Sequence, residues 1–537
     1  MKKIALLAAV AACAISASAQ WPSAANEAVA MFSEVQDYPN PMLTGLPSGE
    51  TWFLFTKIDN VGGDLTETYY YQGLTADGKA IKGNEPALLS KYKNVSWMAD
   101  GKNIFTDNDG NVIILVYDYR KNASYQGVTA YKVSPSGEQL WGEDGIYLSG
   151  DLEAGMVTSV TGCQLTDGSY VFAWRMMTDD LIGAIPMVRL KADGTFAWTE
   201  EIILGSAKDP CLFPYIVDGG NSQFILVYMQ GSNMDVKAMK YDFDGTAVWS
   251  KPTEIYNGGF LTTPWAVVDV QPSGDGGVLF AWVDDRDMNN AFEPYLAYVE
   301  PNGELGFNIR NGLCLDYQDG ASATGIRVTY DPGSDSFVTV WASIIPTGIY
   351  HSVKAQSVSK NGDLNWGVEA KDIAKTDQGD HLFARVVCGE PGRVAFFYQE
   401  SANGGALGIL NYADYYDVAS GKQVWPARVA FGSDAQPMTE LNAVHSGDFW
   451  VAAWTLCLDE NGDYNPNTGN VMAQRVNYDG TVGNNGSGIS NVASDEDPNA
   501  PAEYFSIDGR RISNPDAIAN GVVIKRQGTK IEKTIIH

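Results

Sequence analysis

Short apolar runs alternate with turn-forming clusters along most of this chain. Tyr170-Val171-Phe172-Ala173-Trp174 and Val278-Leu279-Phe280-Ala281-Trp282 are the clearest, and 224–228, 337–341, 394–398 and 449–454 occupy corresponding places. Such runs of β-branched and aromatic residues, bounded by Gly, Asp, Asn and Ser, predict strands. The 56 glycines favour turns over long helices.

The turns recur at a fixed interval. A glycine stands at Gly78, Gly137, Gly194, Gly245, Gly303, Gly362, Gly421 and Gly480, each preceded by Asp, Ser or Asn. That is hairpin chemistry, because Gly takes φ > 0 cheaply and the polar neighbour bonds the local backbone. Four residues later an aromatic follows in six copies: Trp141, Trp198, Trp249, Phe307, Trp366 and Trp425. Lys82 and Asn484 replace it in the first and last. Each unit holds about four short strands and cannot bury both faces alone, which predicts an eight-bladed all-β propeller, with seven blades as the alternative count. The Trp-bearing strands are expected between blades. Trp21-Pro22 resembles Trp425-Pro426, so the N-terminal strand should complete the last blade and close the ring.

Both ends read as separate segments. Lys2 and Lys3, the apolar stretch 4–15 and Ala17-Ser18-Ala19 form a signal peptide over 1–19. Cys13 in Val-Ala-Ala-Cys offers a lipoprotein alternative. The propeller should then occupy 20–485 and a polar linker 486–502. A small β module follows over 503–537.

Two resemblances rest on these motifs. The run 277–286 ends in Trp282-Val283-Asp284-Asp285-Arg286, and Ala473-Gln474-Arg475 lies in a later copy. They resemble the Trp-x-Asp-x-Arg and Ala-Gln-Arg strands of tandem-repeat β-propellers secreted by bacteria. That resemblance implies a fold more than an activity. In the tail, Tyr504, Gly509-Arg510-Arg511, Gly521-Val522-Val523-Ile524 and Gly528-Thr529-Lys530 resemble the C-terminal sorting segment of the type IX (Por) secretion system of Bacteroidetes-like bacteria. Val523 stands where that pattern has Tyr. The resemblance implies export and cell-surface attachment.

Charge narrows the partners. The chain has 537 residues, 36 basic and 65 acidic, for a net charge of −29. Nucleic acid and anionic membranes are poor partners for such a surface. Five cysteines remain beyond Cys13, unclustered and odd in number, and there are only four histidines. Neither a disulfide framework nor a zinc pattern follows.

Ligand chemistry is expected on the variable loops, which share one face of a propeller. The candidates there are Asp118, Arg120, Asp179, Asp180, Asp284 and Arg286. Asp118/Arg120 and Asp284/Arg286 match the repeated Asp-x-Arg, which also suits a salt bridge built once per blade. Asp459, Asn461, Asp463 and Asn465 alternate as oxygen ligands for Ca²⁺ would, although the loop equally reads as an ordinary polar turn. No cofactor is required by any motif. The expectation is an exported or cell-surface monomer, a binding module for a glycan, peptide or protein. A polysaccharide hydrolase or lyase using acids at the channel mouth, and a structural surface protein, are the alternatives.

Overall fold

The computed structural model describes residues 20–484 apart from 32–34, 38, 62–63, 93–102, 123, 153–155, 178–181, 258–267, 318–319, 376–378 and 403. Beyond 484 it describes the backbone of four strands between 502 and 536. The expected signal peptide, Cys13, the linker, Asp179 and Asp180 lie outside the described residues. Contacts divide the chain into two units, Met1–Gly483 and Asn484–His537.

The first unit is an eight-bladed β-propeller. Each blade is an antiparallel meander in which strands follow chain order, as in blade 6: Ser322–Asp331, Ser336–Ile344, Ser352–Ser359 and Lys371–Ala374. The count is eight, not seven. Blade 8 takes its first three strands from Met438–Ser446, Phe449–Leu456 and Thr468–Asn477. Its outer edge comes from the other end of the chain. Val29 and Ala30 pair with Ala473 and Met472, and Gln36 and Asp37 pair with Gly469 and Thr468. The expected N-terminal clasp is therefore present.

The repeated glycine and aromatic form one device. At each junction the aromatic of one blade lies against the turn glycine of the next. Where the aromatic is Trp, its indole N–H reaches a carbonyl two or three residues before that glycine; Phe307 packs against Gly362 without such a bond. Trp198 Nε1 donates to Phe243 O (2.9 Å), Trp249 to Pro301 O (3.1 Å), Trp366 to Val418 O (2.8 Å) and Trp425 to Tyr478 O (2.8 Å). Trp21 does the same across the closure, donating to Ala76 O at 3.0 Å. In the copy lacking the aromatic, Lys82 Nζ donates to Gly137 O at 2.9 Å. The glycine is required twice over at Gly78: its φ is +86°, and a Cβ there would lie 2.6 Å from Trp21 N. Trp21 is 2% exposed. An indole buries roughly 150–250 Å², worth about 4–6 kcal/mol at roughly 25 cal/mol/Å².

Gln474 ties the clasp on. Its Nε2 donates to Pro22 O (3.0 Å) and Glu27 O (2.7 Å), while Oε1 accepts from Arg475 N. Gln72 and Gln356 strap the loops before their own fourth strands in the same way. The Ala-Gln-Arg motif thus marks where a third strand holds the segment leading to its neighbour.

The second unit is a four-stranded antiparallel sheet. Ala502–Phe505 sits between Arg511–Ile512 and Gly521–Gln527, and Lys530–Ile536 lies beyond. Tyr504 pairs with Ile512 and Phe505 with Arg511, so Tyr504 and Arg511 of the sorting-type motif share one strand pair.

Candidate functional site

Blades 7, 8 and 1 meet where the N-terminal strands close the ring. On the face carrying the variable loops, a cavity of about 840 Å³ opens between them. Blade 7 supplies Asp380, Leu382 and Phe383 from its first strand (Asp380–Cys388) and Gly404-Gly405-Ala406 from a loop. Blade 8 supplies Met438, Thr439, Glu440, Tyr464 and Pro466, while Asn40, Ile58 and Glu67 close the third side. The lining is mainly apolar. Leu382 and Tyr464 are exposed large side chains (36% and 43%).

A bulge builds the cavity's edge. In blades 3, 4, 6, 7 and 8 the pairing of the first two strands shifts near the start of the first strand. One residue at each shift is left-handed: Ser159, Phe213, Gly325, Phe383 and Glu440. Only one of them is glycine. A non-Gly residue there costs roughly 1–3 kcal/mol, and bulges recur beside sites because they re-aim side chains. Phe383 (φ 54°) and Glu440 (φ 57°) are the two that line the cavity.

The cavity carboxylates differ in their commitments. Asp380 Oδ1 accepts from His351 N (2.7 Å) and contacts His351 Nδ1 (2.8 Å). Glu67 is 3% exposed and accepts from Tyr69 OH at 3.0 Å. The Glu440 side chain makes no hydrogen bond among the described residues. Behind the rim, fully buried His381 has Nδ1 2.8 Å from His351 O and Nε2 3.0 Å from Glu400 Oε2. Arg428 grips both Glu400 oxygens. Burial pushes the Glu400 carboxyl up, but His381 and Arg428 outweigh it and leave the group below its ordinary range.

Of the residues named from sequence as ligand-binding, the described ones, Asp118, Arg120, Asp284 and Arg286, do not line this cavity. Asp118 and Asp284 are fully buried. Asp118 takes Arg120 Nε at 3.0 Å, Arg120 Nη2 at 2.7 Å and Thr129 Oγ1 at 3.0 Å. Asp284 takes Arg286 Nε at 2.8 Å, Arg286 Nη2 at 2.6 Å and Trp282 Nε1 at 2.8 Å. Arg286 lies 3.5 Å over the Tyr295 ring. In blades 3, 6 and 8 the residue two after the strand Trp is Met176, Ser343 or Leu456. There the buried indoles of Trp174, Trp341 and Trp454 have no hydrogen-bond partner among the described residues. The Trp-x-Asp-x-Arg motif is therefore a closed hydrogen-bonded unit.

The Asp459 loop joins the second and third strands of blade 8 and reaches the cavity through Tyr464 and Pro466. Asp459 Oδ1 accepts from Asn461 N and Asp463 N, both at 2.9 Å. Asp242 Oδ1 holds Asp244 N and Thr246 N in the same pattern in a repeat hairpin. Asn465 Oδ1 accepts from Asn467 N. Among the described residues no three of His, Cys, Asp and Glu are grouped to hold a metal ion. The five described cysteines are all free.

The sequence reading named acids at the channel mouth without residues, and missed Asp380, Glu440 and the arginines of the central channel. Inner strands of blades 1, 5, 6, 7 and 8 enclose about 700 Å³ there, lined by Asp269, Arg327, Arg385, Asn442 and His445 among others. Asn40 and Glu440 line both spaces. A signal existed: Asp269, Arg327 and Arg385 stand one repeat apart, at a position that is uncharged in the other copies.

No protein-family model and no curated protein matches the chain. Among solved structures, a protein of unknown function from Dyadobacter fermentans is 10% identical, with 83% of this chain and 97% of that one covered and a TM-score of 0.38. The β-propeller domain of the Trilobed protease from Pyrococcus furiosus is 11% identical over 74% and 100%, at a TM-score of 0.38. An α-L-arabinofuranosidase from Fusarium graminearum is 12% identical over 60% and 96%, at a TM-score of 0.34. Likeness of this size carries no functional argument. The propeller is established by this chain's own strand pairing.

Proposed function

We propose that this chain is an exported binding propeller that takes its ligand, a peptide or glycan segment, in the cavity between blades 7, 8 and 1. One observation carries the reading: the cavity lies beside the ring closure, its lining is mainly apolar with exposed Leu382 and Tyr464, and one carboxylate, Glu440, makes no side-chain hydrogen bond among the described residues. Asp380 and Glu67 already hold partners, so a hydrolytic pair of two available acids is the weaker reading. A mainly apolar lining with an acidic edge suits a segment bearing an apolar side chain beside a neutral or cationic group. Export rests on the signal-peptide pattern and the sorting-type tail. Among the described residues no helix is long and apolar enough to cross a membrane. Calcium at Asp459, Asn461, Asp463 and Asn465 belongs to this proposal as an accessory that would stiffen the Tyr464 loop.

The test is a glycan and peptide array with the chain lacking residues 1–19, run with calcium and with chelator. The expected hits are lost in Leu382→Asp and Tyr464→Ala while melting is unchanged. Hits that survive both substitutions would move the ligand elsewhere. A response equal in calcium and chelator would remove calcium from the account.

A further inference from the structure

Arg327 and Arg385 occupy the same position in adjacent blades. Each stands two residues after the left-handed residue of a first-strand bulge, Gly325 (φ +67°) or Phe383 (φ 54°). Each opposes the second strand of its blade, at Val340 and Phe397. The corresponding residues of blades 3, 4 and 8 are Thr161, Tyr215 and Asn442, all uncharged. Blades 6 and 7 thus both bring an arginine into the lining of the channel, close enough for the Arg327 charge to act on Arg385.

Their bonding is incomplete. Arg327 Nη1 donates to Ile326 O (2.8 Å) and Arg385 Nη1 to Ala384 O (3.0 Å), and these are the only hydrogen bonds either side chain makes among the described residues. Neither is in a salt bridge there. A guanidinium carries five N–H donors, so most donors of this pair are unassigned. The contrast within the chain is direct, since Arg120, Arg189, Arg286 and Arg428 each hold a carboxylate. Acids face the pair but do not take it. Asp269 Oδ2 accepts from Val328 N (2.9 Å) and Oδ1 from Gln271 Nε2 (3.1 Å). Glu440 faces it from blade 8. Burial and the Arg327 charge push the Arg385 guanidinium down to about 9, against the opposing pull of Glu440 and Asp269. Two partly buried like charges that line one channel and keep free N–H donors offer paired donors to an anion.

We infer that Arg327 and Arg385 form an oxyanion site inside the channel, which takes a small carboxylate or phosphate by paired N–H···O bonds. Arg forks match the geometry of both groups. The site stands on the channel alone and does not depend on the ligand proposed for the neighbouring cavity.

Titration calorimetry on the chain lacking residues 1–19 tests it, with sodium phosphate and sodium galacturonate as separate probes. Sodium chloride at matched ionic strength is the control. Saturable binding of one equivalent of phosphate or galacturonate is expected, and whichever binds identifies the oxyanion class. Arg327→Gln and Arg385→Gln should each weaken it at least tenfold. In chloride, both variants should melt no lower than the parent, because each removes an uncompensated charge. If Arg385→Gln does not fold, Arg327→Gln and Arg385→Lys carry the test, the latter keeping the charge and losing the fork. A chloride response equal to that of both probes, or affinities unchanged in the variants, would overturn the site.

Discussion

The hairpin rim and the channel mouth are built from the same repeat and obey opposite rules. At the rim, successive copies solve one problem in one way: an indole or its Lys82 substitute reaches the next blade beside a positive-φ glycine. At the mouth, equivalent positions hold different chemistry. The bulge residue is Ser159, Phe213, Gly325, Phe383 or Glu440, and the residue two beyond it is Thr, Tyr, Arg or Asn. Repetition marks what every blade needs for its own packing. Divergence at matched positions marks what only one place in the ring needs.

That contrast can be broken from the rim inward. Deleting residues 20–35 removes both Trp21 and the outer edge of blade 8, and should destroy cooperative melting of the whole ring in calorimetry. Trp21→Ala and Trp425→Ala should each cost about 3–5 kcal/mol in urea unfolding. Equality of the two would show that the closure is an ordinary junction, whereas a negligible effect of Trp21→Ala would refute the clasp. Asp284→Ala strips a buried carboxylate from Arg286 and Trp282, and should cost about 3–5 kcal/mol as well, with ligand affinity within twofold of the parent.

A pH-dependent effect of comparable size sits in blade 7. Asp414 is buried, and burial drives its carboxyl up to about 7 despite hydrogen bonds from Tyr398 OH and Gln423 Nε2. Its ordinary value is 3.8. A raised carboxyl favours folding in its neutral form. Its contribution is complete below about pH 4, declines by up to about 1.4 kcal/mol per pH unit, and is gone above pH 7. Asp414→Asn should remove this slope, read as the difference in urea midpoints between parent and variant across pH 4–8. The smallest stability effect belongs to Glu440→Gln, within about 0.5 kcal/mol, paired with a clear loss of binding of any cationic ligand.

The repeat was legible because turns and aromatics recur in sequence at the period of the blade. Gly78 and Trp425 could be placed from spacing alone, and Trp21 from the likeness of Trp21-Pro22 to Trp425-Pro426. The cavity was not, because nothing local distinguishes it. Asp380 and Glu440 are ordinary acids until a bulge and a ring closure bring blades 7, 8 and 1 together. The Asp-x-Arg pairs drew attention for the opposite reason. Their repetition is what the buried Asp118–Arg120 and Asp284–Arg286 units express. Aligning the first strands by repeat, and asking where charge enters an otherwise uncharged column, would have found Arg327 and Arg385.

The central claim is that binding belongs to the junction at the ring closure and not to the repeated rim. Hydrogen–deuterium exchange of the chain lacking residues 1–19, with and without an array-derived ligand, tests it most directly. The account predicts added protection at 380–383, 404–406, 438–440 and 464–466, with the hairpin turns around Gly137, Gly194 and Gly245 unchanged. Protection centred on those turns, with the 7–8–1 junction unaffected, would contradict it.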